Sequence, residues 1–473
     1  MALCGVLLYR IAPDVRGKAL YEDEAVAGLI GMRPLPELLE TVMVDRGGAP
    51  LHFLFVHVTF WVDASADALR ILSVACALAA VPVCFDLARR LGGSSAGLVA
   101  AAVTASSTAL GIYGSFGRMY SLYVLVAALA ADLFVRAVQV RTRNAAIAAA
   151  AAAWLLPAVH PYGLIPALAS LALAVVLWRR RSIRGALPVA LFVLAAVPFV
   201  LADLRLADRA QVGSTGSGSL ATAGDAWGEL SAALSSFAGG DGLPLVILTG
   251  LALLGLFVLA RREPAVAVLA GTVFVPPLLF LVLRAGSAPD LSPRHLFYGL
   301  PLWAAAVGIG AVRLGALLPL RARQLLVAAI AGLAIAAPAS ALRDPRELGL
   351  LPTETEATVH AGPNDVLFPY SVPYLAALED IRAGTPLPQG PGDLILAAVK
   401  QANEPIGRVL VALPGEHWSV MTLRGPFDEA GALFAAAEVI ATTEHNSEFD
   451  WWFDLAEHGL CEALAKLGPR CPA

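Results

Sequence analysis

Charge is what this 473-residue chain has least of: Asp, Glu, Lys and Arg together make up 15% of it. Soluble globular chains carry about 25%. That shortfall, with 58% hydrophobic residues and a mean hydropathy of +0.72, excludes an ordinary soluble protein and directs most of the chain into lipid. Lysine is nearly absent, at Lys18, Lys400 and Lys466 alone, so arginine supplies almost all the positive charge. A net charge of −4 and the lack of any basic stripe interleaved with aromatics exclude nucleic acid as a partner. The five cysteines show no CxxC or metal-ligand spacing, which excludes a cysteine-based metal site. Cys461 and Cys471 stand alone in the polar tail, and on the outer side of a membrane they are able to pair. No glycine fingerprint of a dinucleotide fold is present, and no internal repeat is evident. Residues 1–12 lack a basic leader and a small-residue cleavage site, so a cleaved signal peptide fits poorly. That apolar segment is too short to cross a membrane alone and reads as a truncated first helix.

What is present is a series of apolar runs. A membrane helix needs about 20 mainly apolar residues, and candidates fall at 67–88, 95–113, 119–137, 144–160, 162–178, 185–202, 243–260, 264–283, 295–313 and 324–341. With a first helix, that makes about 11 spans in a mainly α polytopic bundle. Arginines orient it by the positive-inside rule. Arg89–Arg90, Arg136, Arg141, Arg143, Arg179–Arg181, Arg184, Arg261–Arg262, Arg313, Arg321 and Arg323 mark one set of loops as cytoplasmic. The opposite loops hold a first external loop at about 13–66, a longer one at 203–242 carrying the flexible run Gly213–Ser219, and the polar knots described next.

The membrane region is expected to occupy 1–342, and a small extracytoplasmic α/β domain 343–473. Within the latter, 365–369, 407–414 and 437–443 read as short buried strands, with helices at 371–382, 392–402, 429–436 and 454–467.

Four polar knots lie at one end of the apolar runs. Asp23 and Glu24 sit in a short external stretch; adjacent in an extended loop, their side chains diverge. They do not form the facing carboxylate pair of glycoside hydrolases. One catalytic and one supporting carboxylate fits better, against a plain solvated loop. Arg118, followed by Tyr120, stands at a span end. It is either a bidentate phosphate ligand or an arginine snorkelling to the interface. His160 and Tyr162 close another span and either hydrogen-bond a phosphate or sugar or form a helix-ending turn in the aromatic belt. Arg294, beside His295, makes a second candidate phosphate clamp, with interface anchoring as its alternative. His52 lies in the apolar stretch 51–61, which reads as an interfacial or re-entrant helix; a lone histidine on such a face is more often structural than catalytic.

Taken in order, these landmarks resemble the GT-C membrane glycosyltransferases, in particular the protein O-mannosyltransferase and lipid A aminoarabinose transferase group (glycosyltransferase family 39-like). The matching residues are Asp23-Glu24-Ala25, Ala49-Pro50-Leu51-His52-Phe53 and Leu69-Arg70-Ile71-Leu72-Ser73 with Arg89-Arg90. They continue with Gly117-Arg118-Met119-Tyr120-Ser121-Leu122, His160-Pro161-Tyr162-Gly163-Leu164 and Ser292-Pro293-Arg294-His295-Leu296. The resemblance covers roughly 7–340; Pro161 and His295 stand where the family has aromatics.

The resemblance implies transfer of a monosaccharide from a polyprenyl-phosphate-linked donor to an acceptor hydroxyl on a glycan, lipid or protein, at the outer face of the cell membrane. It implies Asp23 as base, or as ligand in members that bind a divalent metal. Arg118, Tyr120, His160, Tyr162 and Arg294 would hold the donor phosphate. The rival reading is a transporter or flippase of lipid-linked sugars. Such proteins commonly show inverted repeats and midplane charges, whereas here no repeat is visible and the charges gather at one face.

Overall fold

The computed structural model describes residues 2–17, 22–45, 49–179, 223–276, 292–336, 364–368, 402–413, 419–443 and 450–468, with 194, 197–199, 201–202, 362, 392, 395–396 and 399–400. Most of the expected span 185–202, the Gly213–Ser219 run, the expected helix at 371–382 and Cys471 lie outside the described residues.

The helices before residue 180 are α1 (Ala2–Gly17), α2 (Glu22–Gly31), α3 (Leu35–Asp45), α4 (Pro50–Phe60), α5 (Ala66–Gly92), α6 (Ser94–Ser106), α7 (Thr108–Tyr113), α8 (Tyr120–Val140), α9 (Arg143–Val159) and α10 (Leu164–Arg179). Then come α11 (Ala223–Ala238), α12 (Leu243–Arg262), α13 (Pro264–Gly271), α14 (Leu300–Gly315) and α15 (Leu320–Ala336). Short 3-10 helices at Pro161–Gly163, Thr272–Phe274 and Pro293–Gly299 join several of them. Alanine- and leucine-rich runs favour helix throughout, and side chains cap some of the starts. The Ser65 hydroxyl accepts from Ala68 N at 3.1 Å, and that of Thr142 from Ala145 N at 3.3 Å.

Four described stretches, Asp67–Gly92, Tyr120–Val140, Leu243–Arg262 and Pro293–Gly315, are long and apolar enough to cross a membrane by length and composition. Pro50–Phe60, Ser94–Ser106, Arg143–Val159, Pro161–Ala174 and Pro264–Phe274 are shorter apolar helices. The run expected as one span at 95–113 is two helices, because Ser107 leaves helical geometry with ψ 136° and caps α7. A break inside lipid needs partners for the freed carbonyls. Arg10 supplies them, its Nη1 donating to Ser106 O at 2.6 Å and to Ala105 O at 3.4 Å.

One core of buried side chains runs from Leu7 to Ala334. α14 lies deep within it, with Leu300 through Ala311 buried. α12 instead exposes Leu243, Val246, Leu253 and Phe257, the apolar outer surface that lipid requires. The two helices approach closely through small residues: a Cβ at Gly255 would strike the Ala306 carbonyl, and one at Gly310 the Leu251 carbonyl.

A second core gathers Val366, Phe368, Ile395, Val409, Val411, Leu433, Ile440 and Leu460 with their neighbours. Its sheet pairs β1 (Asp365–Phe368) parallel to β2 (Ile406–Leu413), and β2 antiparallel to β3 (Ser419–Phe427). α16 (Glu429–Thr442) and α17 (Asp450–Leu467) complete the described part. Residues 437–443, expected as a strand, are helical through Thr442. The Asp428 carboxylate accepts from Gly431 N at 2.7 Å and starts a helix that the alanines of 432–437 carry through the β-branched pair Val439–Ile440. β3 was not expected, because Arg424, Gly425 and Pro426 interrupt its apolar alternation. Cys461 is disulfide-bonded, while Cys4, Cys76 and Cys84 are free.

Candidate functional site

Asp23 and Glu24, expected in an extended loop, occupy the first turn of α2. Glu24 takes the inward direction. Its carboxylate is fully buried. Arg70 meets it with both prongs, Nε to Oε1 at 2.9 Å and Nη2 to Oε2 at 2.8 Å, and donates from Nη1 to Val15 O at 3.0 Å. Gly117 N donates to Oε1 at 2.6 Å. Such a charge is tolerable in an apolar core only when paired and hydrogen-bonded. Glu24 therefore ties α1, α2, α5 and the turn before α8 together, which makes it a positioning residue. The side chain of Asp23 lies outside the described part.

The turn that Glu24 grips is the one that presents Arg118. A Cβ at Gly117 would fall 2.6 Å from the Leu69 side chain and 3.1 Å from Glu24 Oε1, so only glycine lets the backbone come this close. Ser73 Oγ donates to Arg118 O at 3.3 Å, a second hold on the same turn. His52, on α4, is buried beside this turn.

The remaining landmarks close around Arg118 from three other elements. His160 ends α9 in extended conformation, and its Nδ1 accepts from Tyr162 N at 3.2 Å. His295 accepts through Nδ1 from Ser292 N at 3.1 Å. An imidazole nitrogen that accepts carries no proton, so these contacts assign both rings as neutral Nε2–H tautomers. The rings are packed together: His160 and His295 centroids lie 5.2 Å apart, and Tyr162 stacks on His295 at 4.8 Å. On the other side Tyr123 stacks on His160 at 4.9 Å, and Tyr120 lies 6.1 Å from it. The Arg294 guanidinium sits 5.6 Å from the Tyr120 ring centroid. Both Arg118 and Arg294 lie near enough for their charges to act on His160. Two guanidiniums and two Nε2–H imidazoles present donors, the pattern of an anion site.

The structure thus brings together Arg118, Tyr120, His160, Tyr162 and Arg294, which are spread over 177 positions of sequence from 118 to 294. It adds Arg70 and Tyr123, and draws in His52 and His295, which the motifs around Pro50 and Arg294 had already marked. Arg70 had a signal, an arginine inside an apolar run; Tyr123 had none beyond residue type. Described arginines used for orientation lie at the opposite helix ends: Arg90 pairs with Asp86 at 2.5 Å and with Asp132 at 2.8 Å, joining the far ends of α5 and α8. Of the acids in the 203–242 segment, Asp203 and Asp208 lie outside the described residues, as does the Asp225 side chain. Asp241 accepts from the Ser235 hydroxyl. Among the described residues no group of three or more His, Cys, Asp or Glu is placed to hold a metal ion.

No family model and no curated protein matches the sequence. Among solved structures the chain is similar to ArnT from Cupriavidus metallidurans bound to undecaprenyl phosphate, with 18% identity and a TM-score of 0.48, covering 70% of this chain and 61% of that one. The apo state of the same protein aligns at 16% identity and a TM-score of 0.47, over 68% and 59% of the two chains. The arabinosyltransferase EmbB from Mycobacterium smegmatis aligns at 16% identity and 0.44, over 66% of this chain and 30% of that chain. The chain therefore spans about three fifths of the ArnT chain and under a third of EmbB.

Proposed function

We propose that this chain is a membrane glycosyltransferase that takes a monosaccharide from a polyprenyl-phosphate-linked donor and places it on an acceptor hydroxyl at the outer face of the membrane. The observation that carries this reading is the convergence of Arg118, Arg294, His160 and His295 at one end of an apolar helical bundle. Two cations and two fixed donors match the oxygens of a phosphate, and the surrounding apolar helices match its lipid tail. Phosphate leaves well, so the step in need of help is loss of the acceptor proton; Asp23, at the start of α2 one residue from the buried Glu24, is the proposed base. A divalent metal, if one takes part, would be held through Asp23. The polar unit at 343–473 is proposed to lie outside the membrane on the same face.

The test uses purified protein and undecaprenyl-phosphate-linked pentoses and hexoses. Sugar release or transfer is expected, with Asp23→Asn slowed by ~10²–10⁴-fold while donor binding survives. Arg118→Lys and Arg294→Lys keep the charge and lose the fork, and each is expected to weaken binding of bare undecaprenyl phosphate by ~1–3 kcal/mol. Unchanged binding in both arginine variants would remove the phosphate reading; normal turnover in Asp23→Asn would remove only the base.

A further inference from the structure

We infer that Phe297 is a positioning residue of the donor site: by packing against the Tyr120 ring it fixes where the Arg294 guanidinium stands relative to Arg118. This rests on the phosphate reading of the site. A guanidinium recognises phosphate through a planar fork, so its direction counts as well as its charge. Arg118 is aimed through its turn, where Ser73 Oγ donates to Arg118 O at 3.3 Å and Gly117 N donates to Glu24 Oε1 at 2.6 Å. Arg294 arrives on a separate segment, the 3-10 helix Pro293–Gly299, and is held differently.

The register of that helix supplies the hold. With three residues per turn, positions i and i+3 of a 3-10 helix eclipse, so Arg294 and Phe297 share one face, one turn apart. Both meet the same ring. The Arg294 guanidinium lies 5.6 Å from the Tyr120 ring centroid, and Phe297 packs edge-on against that ring at 6.4 Å with an interplanar angle of 76°. Phe297 also meets Tyr113 edge-on at 5.3 Å, and Tyr113 meets Tyr120 at 4.7 Å. The three rings close a triangle between α7, α8 and the 3-10 helix. All three are buried, Phe297 completely. Edge-to-face pairs at these separations prefer defined angles, which a cluster of aliphatic side chains does not impose. Tyr120 in turn opens α8, two residues after Arg118. One ring therefore links both cations, Arg118 along the chain and Arg294 across space, and Phe297 keeps the second link in register. An arginine left free loses rotamer freedom when it closes on a ligand; one laid against a fixed ring has less to lose.

The experiment is a double-mutant cycle read as affinity of the purified protein for bare undecaprenyl phosphate. Phe297→Leu fills the space without an edge to set against Tyr120, and is expected to weaken that affinity about tenfold. In an Arg294→Lys background the fork to be aimed is gone, and there Phe297→Leu is expected to change affinity by less than about twofold. A residue that merely supports the fold would cost the same in both backgrounds. Phe134→Leu, at a buried site further along α8, is the control for lost packing: its unfolding temperature is expected to fall while its affinity holds. Where Phe297→Leu does not fold, Phe297→Met keeps most of the volume and removes the ring, and the same cycle is run with it. Equal losses with and without Arg294→Lys overturn the inference, as does a Phe297 variant that binds as the unaltered protein does. A Phe134→Leu protein that loses as much affinity as Phe297→Leu also overturns it, leaving Phe297 as ordinary core. Failure of the phosphate reading shows elsewhere, in unaltered binding by Arg118→Lys and Arg294→Lys.

Discussion

Two arginine–carboxylate forks in this chain share a geometry and differ in their surroundings. Arg70 meets Glu24 at 2.9 and 2.8 Å in the helical core; Arg408 meets Asp365 at 3.0 and 2.5 Å across the register pair that joins β1 and β2. The first pair is sealed, with side-chain exposures of 2% and 0%; in the second Asp365 is buried at 6%, while Arg408 is 40% exposed. Contact distance alone would rank them as equals. Burial ranks them otherwise, because both partners of the first are cut off from water, while the guanidinium of the second is partly hydrated and its pull on Asp365 is screened. The sealed fork also has a function to serve, since Glu24 holds the turn that carries Arg118.

The largest expected effect is at the sealed fork. Arg70→Ala strands the Glu24 carboxylate, and a loss of ~3–5 kcal/mol in folding stability is expected, read as a collapse of the thermal unfolding midpoint in detergent. Glu24→Gln combined with Arg70→Met removes both charges and is expected to recover most of that loss. A single Arg70→Ala variant as stable as the unaltered protein would break the comparison.

Gly117→Ala comes next. Its new Cβ meets Leu69 and Glu24, and overpacking of this kind costs ~1–3 kcal/mol. The same measurement checks it, and phosphate-lipid binding is expected to fall with it because the Arg118 turn must shift.

The smallest effect is expected at the exposed fork. Arg408→Ala should lower the unfolding midpoint by less than either variant above, in a pH-dependent way. The Arg408 hydrogen bond, with help from Gly362 N, holds the Asp365 carboxyl below the usual carboxylate range. A depressed folded-state value contributes stability above the unfolded value of about 3.9 and loses it as pH falls through the folded one. The difference between Arg408→Ala and the unaltered protein is therefore expected to be full at neutral pH and to vanish in strong acid. A difference that grows on acidification would reverse the sign and refute the assignment.

The residues of the site divide by how far each could be read from the chain. Arg118, Tyr120, His160, Tyr162 and Arg294 stood out because each is a polar or aromatic group at the end of an apolar run, where its presence is costly. Glu24 stood out as well, but with a different sense: the sequence offered it as half of an acidic pair in a loop, and packing made it the buried anchor of a helix. His295 reads as an interface residue until its ring is found stacked on Tyr162. Tyr123 sits in a stretch whose apolar neighbours hide it.

By itself the sequence determined what is local. Hydropathy marked the long apolar helices, and Ser65, Thr142 and Asp428 set helix starts through their own side chains. Tertiary structure alone decided whatever joins distant segments. The Glu24–Arg70 contact spans 46 positions and Glu24–Gly117 spans 93, and no periodicity along one helix specifies a partner on another. The same holds for the tautomers: which nitrogen of His160 or His295 carries the proton follows from the backbone group that packing sets against it. Imidazole chemistry is symmetric until that neighbour is in place.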